Sequence, residues 1–284
     1  MYCCGMKIIF LVIASEDSVH ERDLRTQRET WAKNLPADFQ MVWLRGSNRQ
    51  QAEFCDGTLC VACPELYGNI LQKTILGVRY LTANLDFDIL IRTNVSTYFN
   101  PERLRVELSK DRYKKSFFGG YIDKTKGGYF GESGSLDYIS GTGIFLSRAA
   151  AETLSSLDYR SYTGVPDDVA ISNFLERTSL KRIRMTRNNL GSTHIFFPSY
   201  YIRAKSSAVS ELAGIRMRLI DLYFAQDTFI GSFRAYLAII RLEFHAFWAH
   251  PEPRIRYLQR NRIVLQSFFV AKGTQLWQLL IQRS

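Results

Sequence analysis

Residues 86–104, Asp-Phe-Asp-Ile-Leu-Ile-Arg-Thr-Asn-Val-Ser-Thr-Tyr-Phe-Asn-Pro-Glu-Arg-Leu, decide the fold. An apolar run with β character, Phe87 to Ile91, stops at a polar cluster, Arg92 to Thr97. Tyr98-Phe99-Asn100-Pro101 then turns the chain, and Glu102 to Leu108 reads as a helix. In an open α/β sheet, a strand that ends in polar residues and turns into a helix places them in the crevice at the carboxyl edge, where ligands bind. The same residue types also punctuate ordinary corners. The rest of the chain has to decide between the two.

Upstream, Met6 to Ser15 reads as a strand whose exit, Ser15-Glu16-Asp17-Ser18, reaches the same edge. Glu21 to Asn34 is a charged helix with Leu24, Arg28 and Trp31 at helical spacing, ended by Pro36. Strands follow at Phe39 to Leu44 and Thr58 to Cys63, then a helix from Asn69 to Asn84. Downstream come a strand at Ser116 to Tyr121 and a glycine-rich stretch, Asp123 to Gly134, read as a loop over the cleft. Tyr138 to Ser147 is strand-like with Gly141 and Gly143 inside it, and glycine there marks a bulge or a close approach. Arg148 to Leu157 and Ala170 to Arg177 read as helices, the second preceded by Asp167-Asp168, which on their own read as a helix cap. Ile183 to Thr186 and Ile195 to Arg203 are extended. Strands alternating with helices predict an α/β fold, a mainly parallel sheet flanked by helices.

The 284 residues can bury a sizeable core, and the net charge of +10 points to an anionic partner: a nucleotide, a nucleic acid or an anionic membrane surface. The basic residues form no recognised nucleic-acid motif, so no nucleic acid is expected. No apolar run reaches the length of a membrane span. The start superficially resembles a signal peptide, but Ile8 to Ala14 is β-branched and reads as the first core strand. Five cysteines, an odd number, argue against a closed disulfide framework and favour a reducing cytoplasm. From Ser207 the texture changes to helical segments rich in aromatics and arginine, Arg216 to Phe224, Phe229 to Ala249 and Arg254 to Val270. That tail has ten Lys/Arg against five Asp/Glu, so +5 of the +10 lies there. It reads either as packing on the first domain or a second subunit, or as a peripheral membrane platform. The expected division is 1–206 and a helical extension, 207–284.

Several pieces recur together, in order, in one family. They are Arg28-x-Thr30-Trp31 with Arg25 a turn before it, Leu44-Arg45-Gly46, Tyr67-Gly68-Asn69-Ile70-Leu71-Gln72-Lys73-Thr74, Tyr138-Ile139-Ser140-Gly141-Thr142-Gly143, and Pro166-Asp167-Asp168-Val169. Over roughly residues 6 to 205 the chain resembles the Fringe and β-1,3-galactosyltransferase group of GT-A glycosyltransferases. The resemblance implies a GT-A (Rossmann-like) domain and an inverting transferase moving a sugar from a nucleotide-diphosphate sugar, expected to be a UDP-sugar, to a glycan or lipid-linked glycan. It implies Asp168 as the base that deprotonates the acceptor hydroxyl. Asp167 is then a cap or sugar contact, and the alternative base if the register is off by one. Ser140, Gly141 and Thr142 would line donor sugar and acceptor. Ser15 and Arg25, with Arg92, Thr93 and Asn94, would hold uridine and ribose.

The family's Mn²⁺-binding D-D-D falls here on Asn94-Val95-Ser96. Neutral Asn and Ser are poor ligands for a hard dication. The resemblance implies Mn²⁺ while the missing carboxylates argue against it, and without the ion the diphosphate charge would fall to His194, Arg203 and Lys205. His194 as ligand of a metal is the alternative. The runner-up function is a non-catalytic glycan- or nucleotide-binding descendant of the fold.

Overall fold

The computed structural model describes residues 6–33, 35–131, 133–189, 200–204, 213–225 and 237–238. The elements run β1 (Ile8–Ile13), α1 (Ser18–Glu29), β2 (Phe39–Ser47), β3 (Glu53–Cys55), β4 (Thr58–Ala62), α2 (Ile70–Asn84), β5 (Ile89–Asn94), β6 (Thr97–Phe99) and α3 (Pro101–Leu108). After these come β7 (Phe117–Lys124), β8 (Asp137–Ser147), α4 (Arg148–Ser155), α5 (Asp167–Glu176), β9 (Lys181–Arg184), β10 (Asn188–Asn189), β11 (Tyr201–Arg203) and α6 (Ala213–Ala225).

Eight strands form one mixed sheet in the order β3-β4-β2-β1-β5-β8-β7-β9. The β4-β2-β1-β5 block and β7-β9 are parallel, while β3-β4, β5-β8 and β8-β7 are antiparallel. All six residues of β1 are buried, and their alternation separates two cores. Ile8, Phe10 and Val12 face α1, α3 and α6, whereas Ile9, Leu11 and Ile13 face α2, α4 and α5. A half-buried strand alternates apolar and polar; this one is covered on both faces and so reads as a continuous apolar run. Local chemistry starts the helices. Asp17 accepts hydrogen bonds from the Val19 and His20 amides to cap α1, and Asn100, with Pro101 behind it, accepts from the Arg103 amide to cap α3.

From β1 the chain winds to β2 and β4 on one side, with α1 on one face. It then crosses back through α2, on the other face, to pair β5 with the opposite edge of β1. Crossovers of one hand in opposite directions use opposite faces, and the reversal opens a crevice between the ends of β1 and β5. β10, β11 and β6 make a small second sheet beside it, with Tyr201 stacked on Phe99 at 5.5 Å.

The α/β class and the order of the main elements match the sequence reading, with local differences. The central strand runs to Asn94, because parallel pairing with β1 continues to Ile13↔Asn94, so Arg92 and Thr93 lie in the strand and not after it. Tyr98 and Phe99 are not a turn; they pair with β11 as β6. Asp123 and Lys124 belong to the ladder, opposite Tyr138 and Asp137, and shorten the expected loop. The expected helices after Phe224, and the extended run before Tyr200, lie outside the described residues. Within them α6 lays Ala213, Met217 and Ile220 into the core beside α1, and no helix is long and apolar enough to cross a membrane.

Candidate active site

The edge of β1, β2 and β4 is tied by one buried cation. Lys73 of α2 donates to the Ala14 carbonyl and to Glu65, each at 2.7 Å, while the other oxygen of Glu65 accepts from the Gly46 amide. Gly46 has to be glycine, since a Cβ would stand 2.2 Å from the Cys63 carbonyl oxygen. Beside this brace an open pocket of about 430 Å³ is lined by residues including Glu16, Ser47, Asn48, Thr58 and Glu65. The Ser15 hydroxyl is engaged locally, donating to Asp17 at 2.5 Å with His20 Nδ1 equally near. Arg25 stands exposed on α1 and bonds to no described residue.

Beyond β5 the turn Asn94-Val95-Ser96 is held by three hydrogen bonds. Gln27, buried in α1, donates to the Asn94 and Thr97 carbonyls at 3.2 Å, and Ala204 donates to the Ser96 carbonyl at 2.9 Å. Val95 and Ser96 are buried. Arg203 lies opposite Thr97 in β11, next to this turn, half-buried, and its side chain donates to no described residue. The Mn²⁺ implied by the family resemblance does not fit the residues here. Asn94 Oδ1 already accepts from Arg92 at 3.0 Å, Asp167 is ion-paired, and no three His, Cys, Asp or Glu gather among the described residues. His194 and Lys205 lie outside the described residues.

The densest chemistry lies where β5, β8 and α5 meet. Arg92, buried in the sheet, donates through Nη2 to Asp167 at 2.5 Å and through Nη1 to the Gly141 carbonyl at 2.5 Å. Asp168 takes the other side of the same residue, accepting from the Gly141 amide at 3.0 Å, and its second oxygen accepts from the Val169 amide. A Cβ on residue 141 would meet Arg92 Nη1 at 2.5 Å and Asp168 at 3.3 Å. The room that this glycine leaves is taken by a guanidinium. The Asp pair is likewise not a cap: Pro166 holds the cap position without a side-chain bond, and Asp167 turns to Arg92.

The two carboxylates therefore differ. Asp167 sits against a guanidinium, whereas Asp168 has only backbone donors. Burial first, and then the Asp167 charge, push the Asp168 carboxyl up to about 6, against the pull of the Gly141 amide and of Arg92. A carboxylate near 6 is ionised at neutral pH yet basic enough to take a proton.

Next to Asp168, Tyr138 is half-buried, its hydroxyl raised to about 12 by burial and by the charges of Asp168 and Asp123, with Arg203 and Arg187 acting the other way. Ser140 and Thr142 lie on the same face of β8, and both hydroxyls accept from Arg187 Nη1 at 2.9 Å. Arg187 stacks on Tyr121 at 3.9 Å, and burial pushes its pKa below the usual guanidinium range. Thr93 donates to the Thr142 carbonyl at 2.7 Å, joining β5 to β8.

Of the residues singled out from sequence, the structure brings Arg92, Thr93, Asn94, Ser140, Gly141, Thr142, Asp167 and Asp168 into one bonded cluster at the carboxyl edge, with Arg203 at its flank. Ser15 and Arg25 stay with α1. Sequence reasoning missed Gln27, Glu65 and Arg187 as organisers, and passed over Lys73 although it sits in a quoted motif. A buried lysine at a core-facing helix position was the one signal available for it.

No family model matches the chain, and no curated protein matches it. Two solved structures are similar in outline. One is a glycosyltransferase involved in the glycosylation of the major capsid of PBCV-1, with 9% identity over 75% of this chain and 99% of that one and a TM-score of 0.49. The other is A197 from STIV, with 11% identity over 64% of this chain and 82% of that one and a TM-score of 0.36.

Proposed function

We propose that the chain is an inverting glycosyltransferase that uses a nucleotide-diphosphate sugar, a UDP-sugar in the first instance, with a glycan or lipid-linked glycan as acceptor. The observation that carries the reading is Asp168: a largely buried carboxylate with raised proton affinity and no cation contact, beside a topological switch point. The motif resemblance supplies the reaction class, and the pocket at Glu16, Ser47 and Glu65 offers a place for the nucleoside end of the donor.

In this reading the acceptor hydroxyl oxygen attacks the anomeric carbon as the bond from that carbon to the diphosphate breaks. The hydroxyl proton passes to Asp168, the bonding pair leaves with the nucleoside diphosphate, and the configuration inverts. Charge builds on the leaving diphosphate, and the cation at hand beside the Asn94-Val95-Ser96 turn is Arg203. The test is a thermal-shift and UDP-release assay across nucleotide sugars, with Mn²⁺ and with excess EDTA. The expected result is stabilisation by one donor class and release that persists in EDTA. No stabilisation by any nucleotide sugar overturns the reading, and activity restored only by Mn²⁺ overturns its metal-free form.

A further inference from the structure

We infer that Arg92 is the positioning residue of this site: its guanidinium fixes Asp167 and Gly141 as one unit, which leaves Asp168 alone free to receive the acceptor proton. The inference rests on the glycosyl-transfer reading above and goes beyond it, because it assigns the division of labour between two adjacent carboxylates.

The geometry is specific. Arg92 projects from the middle of the sheet and uses two prongs of a rigid fork on three acceptors: Asp167 Oδ2 and the Gly141 carbonyl at 2.5 Å, and Asn94 Oδ1 at 3.0 Å. Its side chain is 3% exposed and that of Asp167 14%, so the pair is held in a low-dielectric setting. Gly141 is gripped from both ends of its backbone, by Arg92 at the carbonyl and by Asp168 at the amide. Moving the guanidinium therefore moves the strand segment that orients the base. The absence of a Cβ at 141 is what lets the fork reach this depth.

Electrostatics point the same way. The groups facing Asp168 are Asp167 on its own helix, Arg92 from β5, and the Gly141 amide and Tyr138 from β8. Asp167, with Arg92 on it, is spent as an anchor. Asp168 keeps an oxygen environment of backbone amides only, which leaves lone pairs for an incoming hydroxyl.

Three variants test this. Arg92→Lys keeps the charge, but a single ammonium cannot reproduce the fork. Arg92→Met removes the charge and leaves Asp167 unpaired. Arg92→Met with Asp167→Asn removes both charges together, which is the better-folded control because no buried ion is stranded. In Arg92→Lys and in the double variant, kcat is expected to fall about tenfold to a hundredfold, as misplaced catalytic groups do, with the donor KM within about twofold. The acidic limb of kcat/KM should stay near its wild-type position in both, and move to higher pH in Arg92→Met, where an unneutralised Asp167 faces Asp168.

Wild-type kcat in both Arg92→Lys and the double variant overturns the inference. A loss that appears only in KM, or only in step with melting temperature, makes Arg92 a packing residue and also overturns it. Asp168→Asn separates the two levels of the argument: full activity there sinks the base assignment itself, whereas an inert Asp168→Asn beside fully active Arg92 variants sinks only the positioning role. Should no transfer be found, carboxyl-carbon NMR of Asp168 still reads the coupling. A midpoint that rises in Arg92→Met supports it, and one unchanged from wild type refutes it.

Discussion

Two cation–carboxylate pairs, each a buried cation on a part-buried carboxylate, tie strand ends at the carboxyl edge, one on each side of β1, and they serve different ends. Lys73 and Glu65 consume each other and the nearest backbone groups: the ammonium takes the Ala14 carbonyl, and the second carboxylate oxygen takes the Gly46 amide. Their described partners are each other and the backbone, so that pair is a brace. Arg92 and Asp167 are bound as tightly, yet beside them stands a third ionisable group, Asp168, with no cation of its own. An ion pair at a sheet edge becomes chemistry only when a neighbour is left unpaired beside it. On the proposed reading the bracing pair serves stability and the other positions the base, and variants on the two sides should separate along that line.

The largest effect is expected at Asp168. Asp168→Asn should lower kcat by about 10²- to 10⁴-fold, the range a general base contributes, with donor binding by calorimetry unchanged. In the wild type the rate should decline as pH falls through about 6, where Asp168 takes up its proton. A flat profile between pH 5 and 8 would remove it from the mechanism.

Lys73→Met comes next and tests the other side. Glu65 keeps 22% side-chain exposure, so the loss of its partner should cost about 1–3 kcal/mol of unfolding free energy in urea titration. Lys73→Met with Glu65→Gln should recover much of that. A single variant as stable as wild type would erase the distinction between brace and site. Gly141→Ala probes the junction of the two roles. Its Cβ would press on the Arg92 guanidinium and on Asp168. A fall in kcat of about tenfold or more, from displaced groups, is the expected outcome in steady-state kinetics.

The smallest effect has the opposite sign. The folded-state carboxyl of Asp168 is raised, so the folded protein binds the extra proton, and stability contributed there declines as pH rises from about 4 to about 6. Asp168→Asn removes that penalty and should stabilise the protein at pH 7 by on the order of 1–3 kcal/mol, with little difference below pH 4. Melting curves at both pH values check it, and an inactive variant that is also less stable at pH 7 would contradict it.

Much of this was legible in the chain. Continuous apolar strands, their polar exits and the punctuation between them gave the α/β class, and the Asp pair and the glycine strand pointed to residues that the fold brings into one bonded cluster. What stayed hidden has a common cause, which is distance along the chain. Arg92 and Asp167 are 75 positions apart, and nothing in either segment says that one will spend the other. Gly141 announced a close approach but not by what. Arg187, an arginine among Met185-Thr186-Arg187-Asn188, carries no periodic signal, yet it organises Ser140 and Thr142. Register, too, is a tertiary property: only pairing with β1 shows that β5 continues through Arg92 to Asn94.

The hold of Gln27 on the turn after β5 has a consequence for how a ligand would be received. Its amide gives one hydrogen to each end of the turn, at Asn94 and at Thr97, from inside the core. That backbone is fixed before anything arrives. A phosphate meeting it loses no loop entropy there, so the favourable part of binding is not eroded by ordering. Selectivity at that wall then comes from shape held in advance rather than from closure around the guest.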